Sequence, residues 1–197
     1  KKFEEITGKE KAICMPTGTM ANQLAIAVLS GDNTKVFVQD TSHVYRDEAD
    51  AAQSVFQKRL MPLAKGQTYF TAEELKTAIR ALKEQEVFAS GIGAVSVENP
   101  VRRTDGRMIP IEEIRKISEY CRSNNIPLHM DGARLSNAAA GLDLPLRALT
   151  IDVGVDVLSF GGTKNGALAA EAVVFFDPAR DVAVRFGRKQ AMQLPSK

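Results

Sequence analysis

The sequence predicts an α/β fold of three layers, a mostly parallel sheet with helices on both faces. Short apolar runs alternate with longer amphipathic stretches, the strand–helix–strand order from which parallel sheets are built. Several of those runs stop at polar or glycine pairs, Asp40-Thr41, Glu98-Asn99, Asp131-Gly132 and Gly161-Gly162, as strands do where they hand over to a turn or helix. The chain has 197 residues, ample for one core and marginal for two at roughly 150 residues per domain. One domain, 1–197, is expected.

Each element follows from local pattern. Ala12–Met15 is a strand, followed by a helix from near Thr19 to about Leu29. Val36–Val38 is the second strand, His43–Ala52 the second helix, and Arg59–Pro62 a brief third strand. Thr71-Ala72-Glu73-Glu74 has the spacing of a capping box, Thr71 capping the helix while Glu74 reaches back. Leu75, Ile79 and Leu82 give that helix its apolar stripe. Gly93–Val97 is a strand ending in ENP, and Pro110 opens a helix whose core face is Ile111, Ile114, Ile117 and Cys121. Pro127–Met130, Asp156–Phe160 and Ala172–Phe176 are the remaining strands. Lys2 to Ile6 reads as the tail of a helix at a start without Met, and QLPSK follows a helical pattern directly. Both ends are therefore expected to be cut from a longer protein.

Composition narrows the function. With 26 Lys+Arg against 24 Asp+Glu, the net charge of +2 leaves no basic stripe for nucleic acid. No apolar run approaches the roughly 18 residues of a membrane span, and the charged start KKFEEITGKE has no signal-peptide core. Cys14 and Cys121 stand far apart without a CxxC, which suits free thiols in a reducing, cytoplasmic setting.

In parallel sheets ligands sit beyond the carboxyl ends of the strands. The polar residues expected there are Thr17 to Thr19, Asp40 to His43, Glu98-Asn99, Asp131 to Arg134 and Ser159 to Asn165. In SFGGTKNG, Lys164 follows a buried strand among Gly161, Gly162 and Gly166. A lysine partly desolvated there is a nucleophilic amine, able to form a Schiff base; the alternative is a solvated loop lysine. The phosphate-loop spacing GxxxxGK[ST] is not met, since Thr163 precedes Lys164.

Asp131 closes an apolar strand, where a buried carboxylate needs a cationic partner. A protonated pyridine nitrogen would serve. So would Arg134, three residues on, as a structural ion pair, and Asp131 could equally be a helix cap. Gly18 and Thr19 stand at a strand-to-helix junction, where first-turn amides and a hydroxyl hold phosphate, or where Thr19 is a plain cap. His43 occupies a similar junction and could stack on a flat cofactor or move protons. His129 reads as structural, pointing to the other side of its strand from Asp131. No HxxxH, HExxH or cysteine cluster supports a metal site, and no GxSxG elbow supports a serine triad.

Singly these signals are modest. Together they make a phosphate cup, a flat-ring contact, an acid for a ring nitrogen and a later lysine. PTGTMANQLAI (16–26), DTSHVYRDEADAA (40–52), VSVENP (95–100), DGRMIPIEEIRKI (105–117), LHMDGARLSNAA (128–139), VDVLSFGGTKNGALAAEAVVFF (155–176) and RKQAMQLPSK (188–197) resemble the L-threonine aldolase / β-eliminating lyase family of fold type I pyridoxal-phosphate enzymes. The resemblance spans essentially the whole chain, and LHMDGARLSNAA and SFGGTKNG are its specific parts.

It implies the large domain of that fold and pyridoxal 5'-phosphate as cofactor. Lys164 would be the Schiff-base lysine, Asp131 the partner of the pyridine nitrogen, and Arg134 a neighbour of the ring's phenolic oxygen. Gly18 and Thr19 would hold the phosphate, His43 would stack on the ring, and Glu98 joins the cofactor-binding set from its strand end. The catalytic set is then Lys164, His43 and Asp131. The implied reaction is retro-aldol cleavage of threonine or allo-threonine to glycine and an aldehyde, with His43, directly or through a water, one candidate base. Family members are longer at both ends, carry a small C-terminal domain and a substrate-carboxylate arginine absent here, and share sites between the subunits of a homodimer or homotetramer. Two alternatives stay open: another amino-acid β-lyase or racemase with this cofactor core, and a cofactor-binding module without turnover.

Overall fold

A computed structural model describes residues 12–84, 91–177 and 181–194. The expected helix at Lys2 to Ile6 lies outside them. Among the described residues seven strands form one sheet: β1 (Ala12–Met15), β2 (Lys35–Gln39), β3 (Arg59–Leu63), β4 (Ile92–Glu98), β5 (Leu128–Gly132), β6 (Val157–Gly161) and β7 (Glu171–Phe175). Their order across the sheet is β1-β7-β6-β5-β4-β2-β3. Pairing from β3 through β6 is parallel, whereas β7 is antiparallel to both β6 and β1. The sheet is thus mostly parallel, as expected, with one strand reversed.

Alternation along the strands divides the core in two. Phe37, Val95, Val97, Leu128, Met130, Leu158 and Val174 point to one face and pack with residues of helix α4 (Ala72–Lys83) and helix α5 (Ile111–Ser123). The opposite face, with Val36, Val38, Ala94, Val157, Val173 and Phe175, is covered by Leu24, Ile26 and Leu29 of helix α1 (Gly18–Ser30). The capping box of α4 forms as read: Thr71 Oγ1 accepts from the Glu74 amide, and Glu74 accepts from the Thr71 amide. Helix α6 (Leu135–Leu142) follows β5, and helix α7 (Asp181–Gln190) returns against α1. Gly187 permits that return, because a Cβ there would lie 2.8 Å from Leu24 Cδ1.

The expected helix His43–Ala52 is instead two single turns, α2 (His43–Arg46) and α3 (Ala51–Ser54). Ala49 and Asp50 adopt left-handed φ values of 51° and 54°, which no α-helix accommodates. Asp47 is also drawn outward by Arg103, paired through both ends of its carboxylate. The consequence is local: the break turns Glu48 inward.

Candidate active site

The carboxyl ends of β4, β5 and β6 converge on the first turn of α1. Thr17 caps that turn, its Oγ1 accepting from the Met20 amide at 3.1 Å, so the turn's remaining amides are held in order. Between these elements lies a cavity of about 140 Å³, and Gly18, Thr19, His43, Asp131 and Lys164 all line it. Five residues separated by up to 146 positions in sequence therefore meet as the sequence anticipates. A larger groove of about 760 Å³ lies against the outer side of α1, among Leu24, Val28, Val55 and Met192. It is lined by no titratable side chain, so acid–base chemistry belongs to the smaller cavity.

Asp131 sits at the end of β5, 4% exposed. Its Oδ1 accepts from the Ala133 amide at 3.1 Å and its Oδ2 from Asn22 Nδ2 at 2.8 Å. Burial pushes its pKa above the ordinary carboxylate range, and the charge of Glu48 adds to that, against the two hydrogen bonds. Arg134 does not pair with it. Arg134 instead precedes α6, half-buried, outside the cavity lining, and its guanidinium has no partner among the described residues.

Glu98, opposite Asp131 in register, is buried at the end of β4. Its Oε2 accepts from the His43 amide at 2.7 Å and its Oε1 from the Arg102 amide at 2.8 Å. Burial, then the neighbouring Asp131, pushes its pKa up to about 7. With both oxygens engaged by backbone, Glu98 fixes the place of His43 and is not itself among the cavity-lining residues.

His43 is half-buried, and its Nδ1 lies 2.8 Å from Glu48 Oε1. That hydrogen bond raises its pKa above 6.5, burial opposing. Glu48, Asn22 and Gln23 are the residues sequence reading missed. Asn22 Nδ2 donates to both Glu48 Oε1 and Asp131 Oδ2, and Gln23 Nε2 donates to Glu48 Oε2. The one available signal was two amides in an otherwise apolar helical run, MANQLAIAVL.

Lys164 lies in a 3-10 turn, Thr163–Asn165, between β6 and β7. It lines the cavity but is exposed, so the expected desolvation is absent among the described residues. Asn165 beside it donates to Ala133 O at 3.1 Å and to Gly161 O, binding the turn to the end of β5. Gly161 lets the two strand ends close, since a Cβ there would meet Ala133 O at 2.5 Å. His129 is corrected in direction: two residues apart on one strand, it shares a face with Asp131. It is fully buried between Ser96 Oγ and Ser159 Oγ, each 2.8 Å from a ring nitrogen.

His43, Glu48 and Asp131 bring ligand atoms within 4.8 Å of one another. Asn22 and Gln23 aim N–H donors at those same carboxylate oxygens, and a cation would have to displace them. The donor set fits a flat organic cation better. Glu48, Glu98 and Asp131 are three buried carboxylates, and among the described residues only His43 forms an ion pair with any of them. Asn22 Oδ1 is buried without a partner among the described residues, beside Asp131. A protonated ring nitrogen would relieve that surplus of negative charge, the first turn of α1 would offer amides to a phosphate beside the Glu171 carboxylate that also lines the cavity, and Lys164 stands at the rim.

A low specificity L-threonine aldolase of Pseudomonas aeruginosa is 38% identical over 184 residues, covering 91% of this chain and 51% of that protein. One from another Pseudomonas is 36% identical over 182 residues, with the same coverage. The chain thus spans about half the length of the curated relatives it matches. Among solved structures, the threonine aldolase of Leishmania major superposes with a TM-score of 0.83 at 22% identity, over 97% of this chain and 55% of that one, which shows a shared fold. The family model described as beta-eliminating lyase matches residues 1–196, and to that family the chain belongs.

Proposed function

We propose that residues 1–197 form the cofactor-binding domain of a pyridoxal-phosphate-dependent aldehyde-lyase, one that cleaves β-hydroxy-α-amino acids of the threonine type to glycine and an aldehyde. The observation that carries this reading is the meeting of Asp131, His43 and Lys164 in one cavity at the N-terminus of α1. Asp131 would hold the ring nitrogen in its protonated form, His43 would lie on the ring, and Gly18 and Thr19 would take the phosphate. Lys164 would anchor the cofactor through Nζ. Pyridoxal phosphate, when bound, supplies the electron sink for the pair released as Cα–Cβ breaks. His43 Nε2, with no partner among the described residues, is the atom that would take the β-hydroxyl proton, directly or through a water. Arg134 would neighbour the ring's phenolic oxygen, although its side chain is not among the cavity-lining residues.

Self-association into a homodimer or homotetramer is part of the same proposal, supported by exposed apolar residues such as Val55 and Met192 along the groove beside α1. Among the described residues no helix is long and apolar enough to cross a membrane. Both cysteines are free thiols, which supports a reducing, cytoplasmic setting.

The test is borohydride reduction after addition of pyridoxal phosphate, followed by peptide mapping. Label is expected on Lys164 and is expected to vanish in Lys164→Ala with the fold retained. An unchanged label in that variant would remove Lys164 from the assignment. Product analysis separates the chemistries: glycine plus aldehyde supports the aldolase, pyruvate plus ammonia a β-lyase, and inversion alone a racemase.

A further inference from the structure

Glu48 is buried, its side chain wholly inaccessible, with three N–H groups aimed at its two oxygens. A carboxylate has only acceptors, so the 2.8 Å contact to His43 Nδ1 requires the proton to sit on Nδ1. Neutral His43 then presents a bare Nε2. Asn22, with one amide hydrogen on Glu48 and one on Asp131, ties this pair to the floor of the cavity. Gln23 occupies the other oxygen of Glu48 and leaves that carboxylate one way to turn.

We infer that Glu48 is a positioning residue: through Nδ1 it fixes the ring plane and tautomer of His43, so that Nε2 alone is available to accept a proton in the cavity. The inference rests on the reading of His43 as a proton-accepting group. It adds the residue that decides which nitrogen accepts, and Asn22 and Gln23 as the amides that hold that residue.

The charged groups around His43 support the arrangement. Glu48 and Asp131 favour the imidazolium, Lys164 across the cavity disfavours it, and Asp47 and Glu98 stand on either side of its backbone. Glu48 is the largest influence of these and the only one in contact with the ring. Once protonated, His43 would keep its proton to higher pH than an ordinary histidine.

The test needs no cofactor. The chain has two histidines, so nitrogen-15 NMR of imidazole-labelled protein gives two sets of ring signals. His43 is expected as the Nδ1–H tautomer with a titration midpoint above that of free histidine. His129, buried between two serines, serves as the folding control. In Glu48→Gln, the midpoint of His43 is expected to fall and its tautomer to become mixed, while the His129 signals stay in place. In protein loaded with pyridoxal phosphate, the acid limb of kcat/KM is expected to move to lower pH with that midpoint. An Nε2–H tautomer in the wild type, or the same midpoint in a folded Glu48→Gln, overturns the inference. If Glu48→Gln does not fold, the wild-type tautomer and midpoint decide alone. Failure of borohydride to label Lys164 counts against the proposed function, whereas the NMR result bears on Glu48 whatever that outcome.

Discussion

His129 is held neutral by the fold. Full burial pushes its pKa from 6.5 down to about 3, and the hydroxyls of Ser96 and Ser159 satisfy both ring nitrogens without any charge. The unfolded chain takes up a proton at this residue near 6.5 and the folded chain does not. Its contribution to stability is therefore complete above that value and is lost as pH falls towards 3, by up to about 1.4 kcal/mol per pH unit. His43 has the opposite sign: its raised pKa contributes stability below 6.5 that is lost as pH rises through the folded value. Urea melts between pH 4 and 7 are expected to show a shallower pH dependence in His129→Gln than in the wild type. An equal slope would assign the acid sensitivity to another group. At this scale the sequence was informative where a residue ends an apolar run, as with Asp131, or follows one, as with Lys164. It was silent on Glu48, because in the continuous helix expected for 43–52 a residue five positions after His43 would point well away from it. The end of α2 at Arg46 brings it back, with Asp47 leaving helical geometry at φ −127° and ψ 10°.

At the scale of elements, the alternation of strands and helices was legible because both faces of the inner strands, β2 and β4 to β7, are buried and those strands read as largely apolar runs. The reversal of β7 was not read, although residues 162–170 between β6 and β7 are fewer than the dozen or so that a parallel crossover needs. That hairpin is closely built. Gly162 N donates to Ala170 O, Ala170 N to Thr163 Oγ1, and Asn165 crosses to the end of β5. Gly161→Ala would drive a methyl group against Ala133 O and Cα, at 2.5 and 2.8 Å, where both neighbours are backbone. Overpacking of that kind typically costs about 1–3 kcal/mol. Thermal denaturation is expected to register that loss, together with weaker retention of pyridoxal phosphate. A variant as stable as the wild type would mean that the ends of β5 and β6 separate easily.

At the scale of the whole molecule, the described residues close the two core faces but leave the outer side of α1 open. Val55 is 64% and Met192 88% exposed, and both border the groove of about 760 Å³. Contiguous apolar surface of this kind marks a place where another surface packs. Sedimentation of the 197-residue chain is expected to show concentration-dependent association, reduced in Val55→Glu/Met192→Glu. A chain that remains monomeric at high concentration would leave the groove without that role.

For Lys164 as the proposed anchor, the hairpin that carries it would have a kinetic meaning as well as an architectural one. Its two legs, β6 and β7, are paired in register from Val157↔Phe175 to Gly161↔Glu171, and the amine rides only three residues beyond the last pair. The nitrogen therefore never has to diffuse to whatever enters the cavity. Tethered groups of this sort meet their partners at effective concentrations far above those of free reagents, on the order of 10⁵ M or more in well-aligned intramolecular reactions. An insertion of a few glycines between Gly162 and Thr163 would leave every side chain of the site in the protein and remove that advantage, turning an anchored reagent into one that arrives by chance.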